Sequence, residues 1–409
     1  MPKQAPVYLS APALICCAGN NGESFFEAAQ RGDRSGIVPF PLSDAFPASA
    51  LDKGPFPVGR ISDDFFPPGE GSRFFRIAGA ALEQIRAEVA EAVAAYGPDR
   101  VGVCVGSCDN GSEVSLEAHG IYFSTGRFPE SYRLAFQGAS YPAEYIARRF
   151  GLSGPVLAVS TACASGAGAI SQGAALIRGG ICDAVLAGGV DIVSPTVLLG
   201  FDSLETVSQE PCNPFSKNRK GITLGEGAAF FVLSRKPLGF PIVLLGAGES
   251  ADAFHITAPR PDGQGAIRAM EEALAAAGIG PQEVGYVNLH GTGTPLNDAM
   301  EAQAMAAVFP DIASFPPVSS TKSITGHTLG AAGALELALC ALALAYAAAP
   351  PAGDRLSLPV HVWDQVYDEA LPLLRFADHD TPLGDLRICM SNSFAFGGCN
   401  MSLIIGRED

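Results

Sequence analysis

Basic residues are scarce in this sequence, which has 26 Lys and Arg against 42 Asp and Glu in 409 residues. The formal net charge of −16 argues against a nucleic-acid-binding protein, because neutralising phosphates requires clustered Lys and Arg. An acidic partner protein would also be repelled unless it met a local basic patch. We therefore expect no nucleic-acid partner, and we expect any acidic partner to bind at one of the few basic clusters.

The sequence also lacks the cysteine spacing of a structural zinc site, although it contains ten cysteines. No pair is spaced as CxxC, Cys16 and Cys17 are adjacent, and Cys104 and Cys340 lie within apolar runs. In a chain of this size, buried free thiols in a reducing compartment fit better than disulfides. These features predict a cytoplasmic protein.

A long apolar run is missing as well. The most apolar segment, Leu337 to Ala349, is shorter than the ~20 residues that a membrane span needs, so it is predicted to be a buried helix. Lys3 and the apolar residues after it could form a signal peptide, but Pro6 and Pro12 interrupt the stretch. Val7 to Cys17 is better interpreted as a first core strand.

Short β-rich runs alternate with long alanine-rich helical patterns, which indicates an α/β fold. Several runs are continuously apolar, as expected for strands that are covered on both faces. The predicted strands are Val101–Val105, Val156–Val159, Ala184–Leu186, Ala228–Leu233, Val284–Leu289 and Ile388–Met390. The predicted helices are Phe74–Ala95, Ser165–Arg178, Ala266–Ala277 and Ala331–Ala347.

Two features recur in the same order in each half of the chain. A Gly-Pro-x-x-Val-Gly stretch after a helix occupies positions 97–102 and again 280–285. A Ser-Thr pair opens a loop into a small-residue helix at 160–161 and again at 320–321. The offsets differ, 183 against 160 positions, which implies an insertion in the first half. We predict two duplicated βαβ-rich halves, residues 1–238 and 239–409.

Cys163 has the most informative context of the ten cysteines, since it follows a predicted strand and begins a helix of small residues. A thiol at a helix N-terminus lies at the positive end of the macrodipole, which is expected to lower its pKa. Small neighbours, Ala162, Ala164 and Gly166, leave room for a substrate and expose backbone N–H groups for an oxyanion. A buried structural cysteine is the alternative interpretation.

Three further segments place polar groups after apolar strands. His290 lies where a strand gives way to a Gly/Thr loop, a usual position for site residues in open α/β sheets. Lys322 and His327 share a second loop, ahead of a very apolar helix, where a charge is more readily explained by a function than by solvation. Asn392 to Asn400 is a strand end followed by a glycine turn. A loop-capping histidine and a solvated connector are the structural alternatives for the first two.

Taken together, these motifs resemble the elongating β-ketoacyl–acyl carrier protein synthases of the thiolase superfamily, over nearly the whole chain. The matching motifs, in the family's order, are Gly19-Asn20, Phe25 to Ile37, Gly106-Ser107, Thr161 to Gly166, Gly188-Gly189, Pro214-Phe215, Gly225 to Ala228, His290 to Thr294 with Asp298, Lys322 to Glu336, and Asn392 to Asn400. The resemblance implies a thiolase-like fold with a layered α/β/α/β/α core. It also implies an acyltransferase that condenses an acyl-cysteine thioester with malonyl carrier protein, extending the chain by two carbons in fatty-acid or polyene/polyketide-type synthesis.

Carried over position by position, the resemblance implies that Cys163 accepts the acyl chain as a thioester. The backbone N–H groups of Cys163 and Phe396 would form the oxyanion hole, and the Phe396 ring would gate the malonyl side. Further supporting positions are Thr292, Thr294 and Asp298.

The resemblance assigns the decarboxylation to the two histidines. His290 and His327 would donate hydrogen bonds as carbon dioxide leaves and enolate charge develops. Lys322 would position them, with Glu336 behind it. No metal and no organic cofactor are implied, because the departing carboxylate supplies the carbanion.

The implied partner is an acyl carrier protein, loaded with an acyl or a malonyl group. The chain is also expected to form a homodimer, or a heterodimer with a chain-length-factor-like paralogue. Two basic clusters are candidates for carrier docking, one with Lys217, Arg219 and Lys220 and the other with Arg73 and Arg76. Ordinary solvated surface charge is the alternative interpretation of both.

Some positions depart from the family pattern. Ala395 stands where glycine is usual, which could stiffen the loop that bears Phe396, and Cys399 stands where threonine is usual. The segments Pro350 to Pro372 and Ser203 to Asn218 follow the pattern poorly. Acyl chain length, saturation and pathway therefore stay open.

Three rival assignments fit these motifs less well. An initiating-type synthase would use a Cys-His-Asn set, which His327 in the second-histidine motif disfavours. A degradative thiolase would need a second cysteine as acid/base, whereas Cys399 fits the threonine position. A chain-length factor would lack the nucleophile, whereas Cys163, His290, Lys322 and His327 are all present.

Overall fold

A computed structural model describes residues 6–40, 55–66, 71–109, 111–350 and 356–408. Lys3 and positions 351–355 of the divergent segment after Pro350 lie outside these described residues. The strands are β1 (Val7–Leu9), β2 (Ala13–Cys16), β3 (Ile37–Phe40), β4 (Phe56–Gly59), β5 (Val101–Gly106), β6 (Val156–Val159), β7 (Ala184–Asp191), β8 (Leu224–Gly225), β9 (Gly227–Ser234), β10 (Ile242–Ala251), β11 (Tyr286–Asn288), β12 (Val318–Ser319), β13 (Ile388–Phe394) and β14 (Cys399–Arg407).

Helices alternate with these strands along the chain, which confirms the predicted α/β class. They are α1 (Gly22–Arg31), α2 (Arg73–Gln84), α3 (Arg86–Tyr96), α4 (Ser112–Thr125), α5 (Tyr141–Phe150), α6 (Ser165–Arg178), α7 (Pro195–Ser203), α8 (Gln264–Ala277), α9 (Pro295–Val308), α10 (Lys322–Thr325) and α11 (Ala332–Ala348).

The large mixed sheet repeats one pattern of strand pairing. Its order is β12-β11-β13-β14-β10-β1-β9-β7-β5-β6, with β2 paired to β9. β5 is parallel to β6 and β7, and β7 is antiparallel to β9. Likewise β11 is parallel to β12 and β13, and β13 is antiparallel to β14. The connection from β5 to β6 carries both α4 and α5, whereas that from β11 to β12 carries α9, so the longer connection lies in the first half as predicted.

Helices α6 and α11 occupy the middle layer of the protein. Both contact strands of the first and the second half, and they pack against each other. On the outer faces, α2, α3 and α5 pack on the first-half strands, while α8 packs on β10, β14 and α9. The layers are helix, sheet, helix, sheet and helix, with parts of the large sheet in both sheet layers. Helices cover the long central strands of that sheet.

The apolar segment Leu329–Ala348 spans 20 residues and would suit a membrane span by length and composition alone. Its length therefore does not exclude a span, contrary to the reasoning from sequence. However, 78% of its most apolar window is buried inside the protein, against α6 and strands of both halves. That burial is the environment of a core helix, which confirms the predicted buried helix.

Two predicted elements are divided in the structure. Val7 to Cys17 forms two strands instead of one, and both pair with β9. The interruption is at Ser10 to Pro12, where the Ser10 side chain accepts the backbone N–H of Val232 and Pro12 has no N–H to donate. The predicted helix from Phe74 to Ala95 is broken at Ile85 (φ −104°, ψ 9°), which divides it into α2 and α3, and both of these pack on β7 and β9.

The continuously apolar run of β6 predicts a buried strand, and this is wrong. Among the described residues it is the end strand of the sheet, and Val156 and Leu157 keep 37% and 38% of their surface exposed. Phe123 on α4 is also exposed, at 82%. An apolar end strand of this kind offers an unpaired backbone edge to another chain.

The α6–α11 contact depends on glycine. A Cβ on Gly333 would lie 2.8 Å from both the Ala167 Cβ and the Ser393 Oγ, and a Cβ on Gly166 would lie 2.7 Å from the Gly330 carbonyl oxygen. These distances are shorter than van der Waals contact, so neither helix has space for a larger residue. The first turns of the two helices are consequently held at close range.

We predict that Gly333→Ala lowers the free energy of unfolding by about 1–3 kcal/mol, because the added methyl overpacks this contact. Gly120→Ala is the matched control, since nothing lies within 4 Å of a Cβ built there. That change in α4 is expected to be neutral or to stabilise by up to about 1 kcal/mol. Urea unfolding of both variants measures the difference, and equal stability of the two would contradict the packing argument.

Candidate active site

Cys163 lies in a single 3₁₀ turn, Ala162–Ala164, between the end of β6 and the start of α6. The turn opens at Ala162, whose φ of 49° is left-handed and uncommon for a residue with a side chain. Leu329 (φ 53°) opens the equivalent turn before α11. Strained backbone of this kind occurs where a fold holds a functional group in a fixed orientation.

The Cys163 thiol is buried and faces the second half of the chain. Its Sγ lies 3.0 Å from the His327 Nε2, and it is reached by the backbone N–H groups of Phe396 and of Cys163 itself. Burial raises the pKa of Cys163 to about 11, against the Lys322 charge and these N–H groups, which lower it. The lowered pKa expected from the helix N-terminus is therefore wrong, because loss of solvent outweighs the dipole.

The two histidines meet edge to face. Their ring centroids are 5.3 Å apart at 85°, and both side chains are buried. Burial first, and then the Lys322 charge, hold the pKa of each far below its usual value, so both are neutral at pH 7. The His290 Nδ1 lies 3.4 Å from the Lys322 Nζ, which only donates, so the His290 proton is on Nε2.

Lys322 is held by groups on both sides of it. Its ammonium donates to the His290 carbonyl and pairs with the Glu336 carboxylate on α11, and both side chains are buried. Burial raises the pKa of Glu336 to about 7, and Lys322 acts against that shift. The His290 carbonyl supplies one of the hydrogen bonds that such a buried pair needs, whereas the Glu336 Oε2 has no hydrogen-bond partner among the described residues.

The loop that carries Lys322 and His327 is longer than its counterpart. Nine residues separate Ser319, the end of β12, from Leu329, whereas two separate Val159, the end of β6, from Ala162. The longer loop forms α10, which begins at Lys322. This loop of the second half therefore supplies both Lys322 and His327, two of the polar side chains that face Cys163.

The supporting positions also lie in this region. The Thr292 and Thr294 hydroxyls are 3.0 Å apart and face a common cavity. Asp298 accepts the backbone N–H groups of Phe215 (2.7 Å) and Gly293 (3.2 Å), which ties two loops together. Burial raises its pKa to about 6.

Two buried carboxylates were missed in the sequence. Glu301 accepts the N–H groups of His290 and Gly291, both at 2.7 Å, and thereby sets the backbone at the first histidine. Asp191, at the end of β7, accepts the Ser107 hydroxyl (2.7 Å) and the N–H of Gly330, in the turn before α11. Glu301 lies three residues after Asp298 on α9, so the two carboxylates share a face of the helix, and that spacing was the available signal.

A cavity of about 350 Å³ leads to these groups. Cys163, His290 and His327 line it, together with Thr292, Thr294, Phe201, Phe394 and Phe396. Lys220, Leu204 and Leu296 are exposed lining residues and mark its opening. Phe396 stacks on Phe201 with ring centroids 5.9 Å apart.

Family models match both parts of the chain. The N-terminal domain of beta-ketoacyl synthases matches residues 74–238, and the C-terminal domain matches residues 242–354. A 3-oxoacyl-[acyl-carrier-protein] synthase 2 of Staphylococcus aureus is 31% identical over 99% of this chain and 99% of its own length. The chain belongs to the beta-ketoacyl synthase family. It is a condensing enzyme of the acyltransferase type, as predicted.

Solved structures agree with this assignment. The ketosynthase ApeO, in complex with its chain length factor ApeC from Xenorhabdus doucetiae, is 38% identical, with a TM-score of 0.86 over 100% of this chain and 99% of that one. The ishigamide ketosynthase/chain length factor is 27% identical, with a TM-score of 0.83 over 99% of this chain and 100% of that one. The predicted thiolase-like fold is confirmed.

The departures from the family pattern cause little strain in the loop after β13. Ala395 has extended backbone (φ −103°, ψ 157°), which any residue adopts. Its methyl group therefore does not strain the backbone of this loop. The left-handed positions are Gly397 (φ 82°) and Gly398 (φ 75°), and they remain glycine. Cys399 begins β14, pairs with Ala251 and is half-buried.

Arg73 was predicted to dock a partner, and the structure contradicts this. Its guanidinium is buried against Glu226 and also donates to the Asp63 carboxylate and the Ile61 carbonyl. Arg76, from the same cluster, lies over the Phe66 ring and 3.7 Å from Asp63. Both arginines of this cluster therefore make contacts within the synthase itself.

The three residues of the other basic cluster, Lys217, Arg219 and Lys220, differ in exposure. Arg219 keeps 9% of its side chain exposed and pairs with Asp368 at 2.6 Å. Lys217 and Lys220 are exposed, and Lys220 lies at the cavity opening, 3.2 Å from Glu210. Of the predicted docking residues, these two lysines are the ones that a partner can reach.

The donor atoms of Cys163, His290 and His327 all lie within 4.8 Å of one another, a spacing at which three ligands can hold a metal ion. The Lys322 ammonium beside His290 would repel a cation at this position. The same arrangement suits a nucleophile with two hydrogen-bond donors.

We predict that alkylation of Cys163 by iodoacetamide accelerates about tenfold per pH unit from pH 7 to about pH 10, since only the thiolate reacts and the pKa is about 11. Peptide mapping at each pH identifies the modified cysteine, and an unstructured cysteine peptide, levelling off near pH 9, is the control. A rate for Cys163 that is already constant above pH 7 would show a lowered pKa instead.

Proposed function

We propose that this synthase catalyses the decarboxylative Claisen condensation of an acyl group on Cys163 with malonyl carrier protein. The supporting observation is the meeting of the Cys163 thiol with one nitrogen of His290 and one of His327 within 4.8 Å, at the buried side of a cavity. The product is a β-ketoacyl carrier protein that is two carbons longer, as in fatty-acid or polyene/polyketide-type synthesis.

The first half-reaction loads the nucleophile. The Cys163 sulfur attacks the acyl thioester carbon, the carrier thiolate leaves, and the proton of the Cys163 thiol ends on that carrier thiol. Charge on the carbonyl oxygen is stabilised by the backbone N–H groups of Cys163 and Phe396, which already reach the sulfur in the structure. The high pKa keeps the Cys163 thiol protonated before a substrate binds.

The second half-reaction generates the carbanion. The bond from the malonyl carboxylate to C2 breaks, carbon dioxide leaves, and its electron pair passes into the thioester as an enolate. Neutral His290 and His327 each donate an N–H hydrogen bond to the enolate oxygen. They therefore stabilise its charge as hydrogen-bond donors and do not act as acids. C2 then attacks the acyl carbonyl and Cys163 leaves as a thiolate, which regains a proton.

Lys322, with Glu336, positions the histidines, and Thr292 and Thr294 face the path of the carrier arm into the cavity. We also propose that the Phe396 ring, stacked on Phe201 at the cavity wall, gates the malonyl side until the acyl chain is loaded. No metal or organic cofactor enters this scheme.

The partners follow from the same assignment. We propose an acyl carrier protein as the donor of both substrates, and pairing with a second copy or with a chain-length-factor-like paralogue. The exposed apolar edge of β6 supports pairing, and the ApeO ketosynthase is paired with a chain length factor. We further propose a cytoplasmic location and two halves, residues 1–238 and 239–409.

We predict that Cys163→Ala abolishes acyl-enzyme formation, while His290→Ala and His327→Ala still form it but release carbon dioxide from malonyl carrier about 10²–10³-fold more slowly, because each loses one donor to the enolate. Intact-mass spectrometry and ¹⁴CO₂ release separate the two half-reactions. His379→Ala, at an exposed histidine outside the site, is the control. Normal decarboxylation by both histidine variants would refute this division of labour.

We predict that Lys217→Glu with Lys220→Glu raises the KM for carrier-bound substrate about two- to fivefold and flattens its salt dependence, since exposed charges contribute modestly. Turnover of an N-acetylcysteamine thioester should be unchanged. Lys236→Glu, an exposed lysine after β9, is the matched control, and Arg219 stays intact because of its ion pair. Equal effects on carrier and small thioester would exclude this loop as the docking site.

A further inference from the structure

His361 lies behind the active-site loops in the divergent segment and is buried at 6% exposure. The backbone N–H of Ser320 donates to its Nδ1 at 3.2 Å, and its Nε2 lies 3.2 Å from the Pro214 carbonyl oxygen. Because an amide N–H only donates and a carbonyl only accepts, these partners require neutral imidazole with the proton on Nε2. Both nitrogens are therefore fully used.

Ser320 connects His361 to the catalytic loops. Its hydroxyl donates to the Gly291 carbonyl at 2.7 Å and accepts the Lys322 N–H at 3.3 Å. Gly291 directly follows His290, and a Cβ on it would lie 2.5 Å from the Ser320 Cβ. The two loops are in such close contact that a shift of Ser320 must move the backbone at both His290 and Lys322.

The other nitrogen of His361 fixes a third loop. Pro214 precedes Phe215, whose N–H donates to Asp298, and Asp298 also accepts the Gly293 N–H. The imidazole thus joins the loop before Phe215 to the loop after β12. It does so without lining the cavity that contains Cys163.

Aromatic packing holds the imidazole in place. The Phe376 ring stacks on it with centroids 4.2 Å apart and planes 12° apart, and Phe215 and Trp363 pack at wider angles. Burial lowers the pKa of His361 to about 3, so the neutral form required by its partners is kept at ordinary pH.

We infer that His361 is a positioning residue for the decarboxylation step, because its Nδ1 holds Ser320 and through it the backbone that presents His290 and Lys322. This inference rests on the proposed function. The alternative is that His361 is only a packing residue of the core.

The test compares variants that retain different hydrogen bonds. In His361→Asn the amide oxygen can accept from Ser320 at the Nδ1 position, in His361→Gln the amide nitrogen can donate to Pro214, and in His361→Phe only the ring remains. We expect His361→Gln and His361→Phe to release carbon dioxide from malonyl carrier about tenfold more slowly, with Cys163 acylation near the wild-type rate and substantial rescue by His361→Asn.

Phe309→Leu, a cavity-forming change in the neighbouring cluster that contains Phe215, provides a destabilised control. The inference would be overturned if every His361 variant and Phe309→Leu lost both half-reactions equally. It would also be overturned if His361→Asn gave no rescue. In either case His361 would be only a packing residue. If wild-type protein itself releases no carbon dioxide, the proposed function fails instead. NMR of the His361 ring nitrogens then still tests the Nε2–H tautomer, and protonation of Nδ1 would overturn the proposed contact.

Discussion

The close contact of α6 with α11 is the constraint on which the site depends. Gly166 and Gly333 allow the two helices to touch at their first turns, so the turn with Cys163 faces the loop with His327. Strands from both ends of the large sheet cover this pair, and the outer helices cover those strands. Each helix follows a strand that is paired in parallel, β6 with β5 and β12 with β11. The loops before the helices therefore lie at the carboxyl ends of these strands, where open α/β sheets place their sites.

Charge in the interior is arranged around one ammonium group. Lys322 pairs with Glu336, contacts the His290 carbonyl and helps to keep both histidines neutral. Around it, Glu301 and Asp298 accept backbone N–H groups, and burial raises the pKa of each, to about 8 and about 6. The site thus orients its donors through backbone contacts, and the loops behind it, including Ser320 and His361, extend the same network.

Two of the cations predicted to dock a partner serve internal contacts instead. Arg73 and Arg219 pair with carboxylates in the interior or at its edge, which leaves a small number of lysines at the cavity opening. For an acidic protein this means that attraction of an acidic carrier is local and weak. Exposed apolar residues at the same opening, such as Leu204 and Leu296, add contact area that does not depend on charge.

The α/β class, most strand and helix positions, the family and the residues that converge on the cavity could be predicted from the sequence, because local periodicity and contiguous motifs encode them. Properties that depend on a residue's surroundings could not be predicted in this way. The pKa of Cys163 rises because it is buried, Arg73 is removed from the surface by Glu226, and β6 is exposed because it ends the sheet. Glu301 and His361 belong to this second group, since they act through backbone groups distant in sequence, and such contacts exist only after the loops have packed together.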